Sequence, residues 1–130
     1  MSKQFNNQPL VSVIMNCYNG ETYLFESIKS VLSQTYENWE IILWDNASSE
    51  DIQSLLIGYD KRLRFFKADE TVNLGEARNL AMSKAKGDFI AFLDCDDLYL
   101  EDKLEKQVKV MDTYDFIMSY GGAIIINKNG

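Results

Sequence analysis

Histidine is absent from this 130-residue chain, cysteine occurs only as Cys17 and Cys95, and proline only as Pro9. Without histidine or a C-x-x-C spacing, zinc ligation, haem ligation and a disulfide framework are all disfavoured. A cysteine nucleophile would also lack its usual activating imidazole. Lys and Arg total 13 against 20 Asp and Glu, a formal net charge of −7. That balance argues against a nucleic-acid surface, which would show a basic stripe. No apolar run approaches the roughly 18 residues that a membrane-spanning helix needs, and the N-terminus has no h-region. The expectation is a flexible polar leader over residues 1–8 and a single domain over 9–130. Two lone thiols fit a reducing, cytoplasmic compartment. The phosphate-binding signatures G-x-x-x-x-G-K-[ST] and G-x-G-x-x-G are also missing, which removes the commonest nucleotide folds built on them.

What remains is an ordinary globular composition, 46% hydrophobic and 25% charged, patterned as strands alternating with helices. Residues 10–15 form a β-branched run, followed by the turn-rich Asn16-Cys17-Tyr18-Asn19-Gly20. Leu24, Ile28, Val31 and Leu32 then recur at helical spacing and predict a helix over 22–33. Residues 39–44 read as a second strand ending at Asp45-Asn46. Ser48 and Asp51 offer cap signals for a second helix carrying Ile52, Leu55, Leu56 and Tyr59. A third strand is expected over 63–67, and a third helix with Ala77, Leu80, Ala81 and Ala85 on its buried face. Gly87 stands where a C-terminal glycine cap belongs. Leu100, Leu104, Val108 and Met111 mark a fourth helix, and residues 116–120 and 123–126 are two further strand candidates. The final Asn129-Gly130 is a hairpin signal with no returning strand, so truncation of a longer protein is expected.

This alternation predicts an α/β fold, a mostly parallel sheet with helices on both faces, whose ligands bind at the carboxyl ends of the strands. The organising stretch is Asp88-Phe89-Ile90-Ala91-Phe92-Leu93-Asp94-Cys95-Asp96-Asp97. Its unbroken apolar run predicts a central strand buried on both faces. In extended backbone residues i and i+2 share a side, so Asp94 and Asp96 converge while Cys95 turns away as a buried filler. Two carboxylates about 4 Å apart repel by roughly 4 kcal/mol at an effective dielectric near 20. A hard divalent cation, magnesium or manganese, relieves that repulsion. An acidic loop capping the next helix would use the same residue types.

Five stretches together resemble the N-terminal, donor-binding half of a family 2 glycosyltransferase of the GT-A fold. They are Val11-Ser12-Val13-Ile14-Met15-Asn16-Cys17-Tyr18-Asn19, Ser30-Val31-Leu32-Ser33-Gln34-Thr35-Tyr36, Glu40-Ile41-Ile42-Leu43-Trp44-Asp45-Asn46-Ala47-Ser48, Asn73-Leu74-Gly75-Glu76-Ala77-Arg78-Asn79 and Phe92-Leu93-Asp94-Cys95-Asp96-Asp97. The resemblance implies inverting, metal-dependent transfer of a sugar from a nucleotide diphosphate, with a UDP-sugar favoured, to a hydroxyl of a glycan or lipid-linked acceptor in cell-surface polysaccharide synthesis. It implies that Asn16, Tyr18, Asp45, Asn46, Arg78 and Asp94 hold the nucleotide sugar: Tyr18 against the base, Asp45 and Asn46 at the base edge or ribose, and Arg78 in support. Asp96, with Asp94, would hold Mn2+ or Mg2+. The family often has an acid where Asn46 stands. Its catalytic base lies in a later segment and matches nothing up to Gly130, so this chain alone is expected to be inactive. The full-length protein could sit peripherally at a membrane, and an uncovered strand at 123–126 would favour a homodimer. A non-catalytic nucleotide-sugar-binding or protein-interaction module fits the same chain, and the two differ in whether an acidic motif follows Gly130. Tyr18 covering the sheet edge, Arg78 paired with Glu76 or Asp69, and Asp45 as a plain turn residue are the corresponding structural alternatives.

Overall fold

Strands rich in β-branched and large apolar residues bury both faces and pair their backbone groups on both sides when they lie between other strands. In the computed structural model, which describes residues 8–114 and 117–126, Val11–Cys17 (β1) and Trp39–Asp45 (β2) occupy that position. They run parallel, with Val11 beside Trp39 and Cys17 beside Asp45. Leu63–Lys67 (β3) pairs with β2, and Phe89–Phe92 (β4) with β1, both parallel. The order is β3-β2-β1-β4. The chain thus steps outward from β1 to β3 and returns on the other side of β1, which makes the β1/β4 boundary a switch point with a crevice at its carboxyl end.

Side-chain alternation sorts the two faces. Val11, Val13 and Met15 of β1, with Trp39, Ile41 and Leu43 of β2, join Leu24, Ile28 and Val31 of helix Glu21–Leu32 (α1) and Leu104 of helix Lys103–Tyr114 (α4) in one core. Ile14, Ile42 and Trp44 face the other way, onto Ala77 and Ala81 of helix Leu74–Met82 (α3). Full burial of a Leu or Ile contributes roughly 1.5–3 kcal/mol. The small alanines let α3 approach the sheet closely. Its first turn is capped by Asn73, whose Oδ1 accepts from Glu76 N at 2.9 Å.

Several expectations need correction. The Phe89–Phe92 strand is not central among the described residues. It is the edge beside β1, with Ile90 and Phe92 41% and 48% exposed. Its apolar content matches that of a buried strand, but the strand order leaves it one partner. Helix Ile52–Leu55 (α2) is a single turn capped by Asp51, not Ser48, and Leu55 faces out. Leu80 is exposed on α3, and Leu100 lies exposed ahead of α4. Gly87 is no helix cap, since α3 already ends at Met82 with Ser83 as its C-cap. A Cβ there would lie 2.5 Å from Ser12 Oγ and 2.7 Å from Ser12 N, so close approach to β1 is what demands glycine. Residues 117–120 and 123–126 form no strand, and Ile124 and Ile125 are exposed. β-propensity without an adjacent strand to bond does not make a ladder. Residues 1–7 of the expected leader, Phe116 and the Asn129-Gly130 hairpin signal lie outside the described residues.

Candidate functional site

The carboxyl ends of β1, β2 and β4 deliver three loops to one rim. Asn46 N donates to Cys17 O at 2.8 Å, continuing the β1–β2 ladder into the loops. Beyond it, Asn19 N donates to Ser48 Oγ at 2.8 Å, and Ser49 N to Asn19 Oδ1 at 3.0 Å. Asn19 and Ala47 both hold positive φ, 48° and 62°. Asn tolerates that region readily; for Ala it is a strained conformation that the surrounding bonds must hold.

Asp45 is fully buried. Its Oδ1 accepts from Ser48 N at 3.0 Å, while its Oδ2 lies 3.9 Å from Lys67 Nζ and has no hydrogen-bond donor. Asn46 is also buried. Its side chain donates from Nδ2 to Val72 O at 2.8 Å and accepts at Oδ1 from Val72 N at 3.1 Å. Thr71 Oγ1 donates to Asn46 O at 3.1 Å. The polar loop after β3 is thereby fastened to the end of β2.

Between that loop and Tyr18 runs a cleft of about 270 Å³, lined by Asn46, Thr71, Val72, Leu74 and Ala77 together with Asn16, Cys17 and Tyr18. A second hollow of about 400 Å³ shares Asn16, Tyr18 and Leu74 with it and reaches Gly20, Asp94 and Asp96. The two form one groove from Val72 to the carboxylates. Tyr18, 57% exposed, stands at their junction. Asn16 Oδ1 is buried there without a partner, a cost of about 1–3 kcal/mol unless a ligand donor meets it.

At the far end the carboxylate oxygens of Asp94, Asp96 and Asp97 come within 4.8 Å of one another, all on exposed residues. Burial raises the Asp97 carboxyl above its usual range, and the charges of Asp96 and Asp94 raise it further. Mutual repulsion among oxygen-only donors is the setting a hard divalent cation fits. Arg78 reaches in from α3, its Nη2 3.2 Å from Asp94 Oδ1 and its guanidinium 5.8 Å from the Phe92 ring centroid. Asp94 is its salt-bridge partner, not Glu76 or Asp69. The 94–97 segment is a turn, closed by Asp97 N donating to Asp94 O at 3.0 Å, and not the extended strand expected; from it the partly buried Cys95 turns inward toward Cys17. The hydrogen bond with Cys95, together with burial, pushes the Cys17 thiol up. Both sulfurs crowd Gly20, where a Cβ would sit 2.8 Å from Cys95 Sγ.

Of the site residues singled out in the sequence, Asn16, Tyr18, Asn46, Asp94 and Asp96 line the two hollows, Asp45 is buried without lining either, and Arg78 adjoins them through its ion pair with Asp94. Thr71, Val72 and Leu74 were missed as groove residues. They carry no chemistry-bearing signature, and only the packing of their loop against Asn46 brings them to the cleft.

Residues 12–130 match the profile of Glycosyl transferase family 2. Over 121 residues the chain is 40% identical to the UDP-Glc:alpha-D-GlcNAc-diphosphoundecaprenol beta-1,3-glucosyltransferase WfgD of Escherichia coli, covering 92% of this chain and 48% of that protein. It superposes with a TM-score of 0.75 and 25% identity on S. aureus TarS 1–349 in complex with UDP-GlcNAc, covering 81% of this chain and 32% of that one. The mannosyltransferase PcManGT of Pyrobaculum calidifontis, in complex with GDP-Man and Mn2+, gives a TM-score of 0.74 at 25% identity over 82% of this chain and 33% of that one. The chain spans between 19% and 51% of the length of curated relatives it matches.

Proposed function

Because the chain belongs to glycosyl transferase family 2 and has the GT-A type of fold, we propose that its groove binds a nucleotide diphosphate sugar as the donor site of an inverting, metal-dependent glycosyltransferase. The observation that carries this reading is the continuity of the groove, from the Tyr18–Val72 cleft to the clustered oxygens of Asp94, Asp96 and Asp97. A flat aromatic base fits against Tyr18 in the cleft of about 270 Å³. The buried Asn16 Oδ1 supplies an acceptor for a base N–H, Asp45 and Asn46 shape the cleft from beneath, and Arg78 holds Asp94 toward the ribose and diphosphate.

Asp96 and Asp94 would hold Mn2+ or Mg2+, with Asp97 beside them. When bound, the cation stabilises the charge that develops on the departing diphosphate. Without it, a chain of net charge −7 opposes an anionic ligand. A UDP-sugar is the favoured donor, by analogy with the UDP-Glc-using relative and the neighbour in complex with UDP-GlcNAc. The acceptor is a glycan or lipid-linked hydroxyl in surface polysaccharide synthesis, and the deprotonating base is supplied by sequence that relatives carry beyond this stretch. No described helix is long and apolar enough to cross a membrane. We place the protein in the cytoplasm, peripheral to the membrane where a lipid-linked acceptor is used.

Calorimetry with UDP, GDP and dTDP, each with Mn2+ and with EDTA, tests the reading. UDP should bind measurably only with metal, and Asp96→Ala should remove the difference. Equal binding with and without metal would refute the role of Asp96, and no binding of any nucleotide would refute the reading itself.

A further inference from the structure

Resting on the nucleotide-binding reading above, we infer that Asn46 is a positioning residue: it sets one wall of the cleft through Val72 and does not itself read the base. Its main-chain N–H and C=O, its Oδ1 and one N–H of Nδ2 all have protein partners. Its N–H donates to Cys17 O at 2.8 Å and its carbonyl accepts from Thr71 Oγ1 at 3.1 Å. Its carboxamide pairs with both main-chain groups of a single residue, Nδ2 to Val72 O at 2.8 Å and Val72 N to Oδ1 at 3.1 Å. That reciprocal pair imitates a rung of β-ladder between β2 and a loop with no strand of its own. The side chain is buried, so water cannot readily replace either bond.

The pairing explains why an amide stands at this position. A carboxylate only accepts, so an ionised acid here would satisfy Val72 N and turn a lone pair onto Val72 O. A protonated acid has the O–H to reproduce both bonds. Asn46 therefore joins the ends of β1 and β2 to Thr71 and Val72 and holds the wall opposite Tyr18. The apparent affinity of the cleft then scales with the fraction of molecules in which that wall is in place. Among the described residues two buried acceptors lack a partner, Asn16 Oδ1 and Asp45 Oδ2, and of these Asn16 lines both hollows while Asp45 lines neither.

Asn46→Asp is the test, since it keeps the shape and makes the pairing titratable. UDP affinity with Mn2+ is measured for variant and wild type at about pH 5 and about pH 8, which bracket a carboxyl raised by burial. Taking their ratio at each pH cancels the titration of the ligand; the charged groups on the segments that flank position 46 are Asp45, Lys67, Asp69 and Glu70. The variant should bind about tenfold or more weakly than wild type at the higher pH and recover to within a few-fold at the lower. In the ligand-free protein the protection of the Val72 amide, taken relative to wild type at the same pH, should fall from the lower pH to the higher, because repulsion at Val72 O opens the pair. A ratio near one at both pH values, or tighter binding at the higher pH, would overturn the inference, because a carboxylate touching the base directly would behave that way. A wild type that binds no nucleotide refutes the functional reading, while Val72 exchange still decides whether Asn46 holds the loop. Should Asn46→Asp not fold, Thr71→Val removes only the hydroxyl bond to Asn46 O. It should weaken UDP binding a few-fold at either pH, and unchanged affinity would count against the wall being held from Asn46.

Discussion

Replacing Glu40 by glutamine should destabilise the fold by an amount that depends on pH. Glu40 is buried on β2, facing α3, and its carboxylate accepts from Ser12 Oγ at 2.7 Å, Lys86 N at 2.7 Å and Arg64 Nη1 at 3.0 Å. These bonds tie β1, β2, β3 and the segment entering β4 to one point. Glutamine keeps the volume and removes the charge. Hydrogen bonds to a charged group contribute about 1.5–3 kcal/mol each against 0.5–1.5 for neutral ones, so losing the charge across this set costs roughly 2–3 kcal/mol at pH 7. That is a sizeable part of a domain stability of about 5–15 kcal/mol and corresponds to a fall in melting temperature of roughly 6–12 °C. Burial by itself raises the Glu40 carboxyl, but the bonds from Lys86 N, Ser12 and Arg64 prevail and hold it below the usual carboxylate range. A folded-state value below the unfolded one contributes stability that is fully present above the unfolded value, about 4.3, and is lost as pH falls through the folded value. Wild type and Glu40→Gln should therefore converge in melting temperature as pH drops from 7 toward about 3. A gap that stays constant or widens over that interval would refute the reasoning.

Gly87→Ala should lower stability by about 1–3 kcal/mol or more in urea unfolding, because the new methyl meets Ser12 N at 2.7 Å and Leu10 O at 2.8 Å, main-chain atoms that cannot swing aside. A neutral result would mean that the segment 83–88 sits farther from β1. Arg78→Gln should leave stability within about 1 kcal/mol, since its ion pair with Asp94 is solvent-exposed. It should weaken UDP binding with Mn2+ several-fold by calorimetry. Unchanged affinity would remove Arg78 from the site.

The chain's own sequence determined β1, β2 and α1, because their patterns require burial in only one way. Apolar, β-branched stretches of this length between turn signals read as strands, and Leu24, Ile28 and Val31 form one helical face whatever packs on it. It also determined that acids and asparagines would collect at the strand ends, since strands joined by helical crossovers must run parallel and end on the same side. Only the tertiary structure decided which strand lies at the edge. Apolar content alone does not distinguish a strand with two partners from one with a single partner and an open face, so Phe89–Phe92 and β1 read alike. Only the tertiary structure made Gly87 a contact with Ser12, paired Arg78 with Asp94 and fastened Asn46 to Val72. Each of these joins residues far apart in the chain through a hydrogen bond, ion pair or steric limit of a few ångströms. Periodicity and propensity describe neighbours along the chain, whereas such contacts depend on how the strand order and loop packing bring remote segments together.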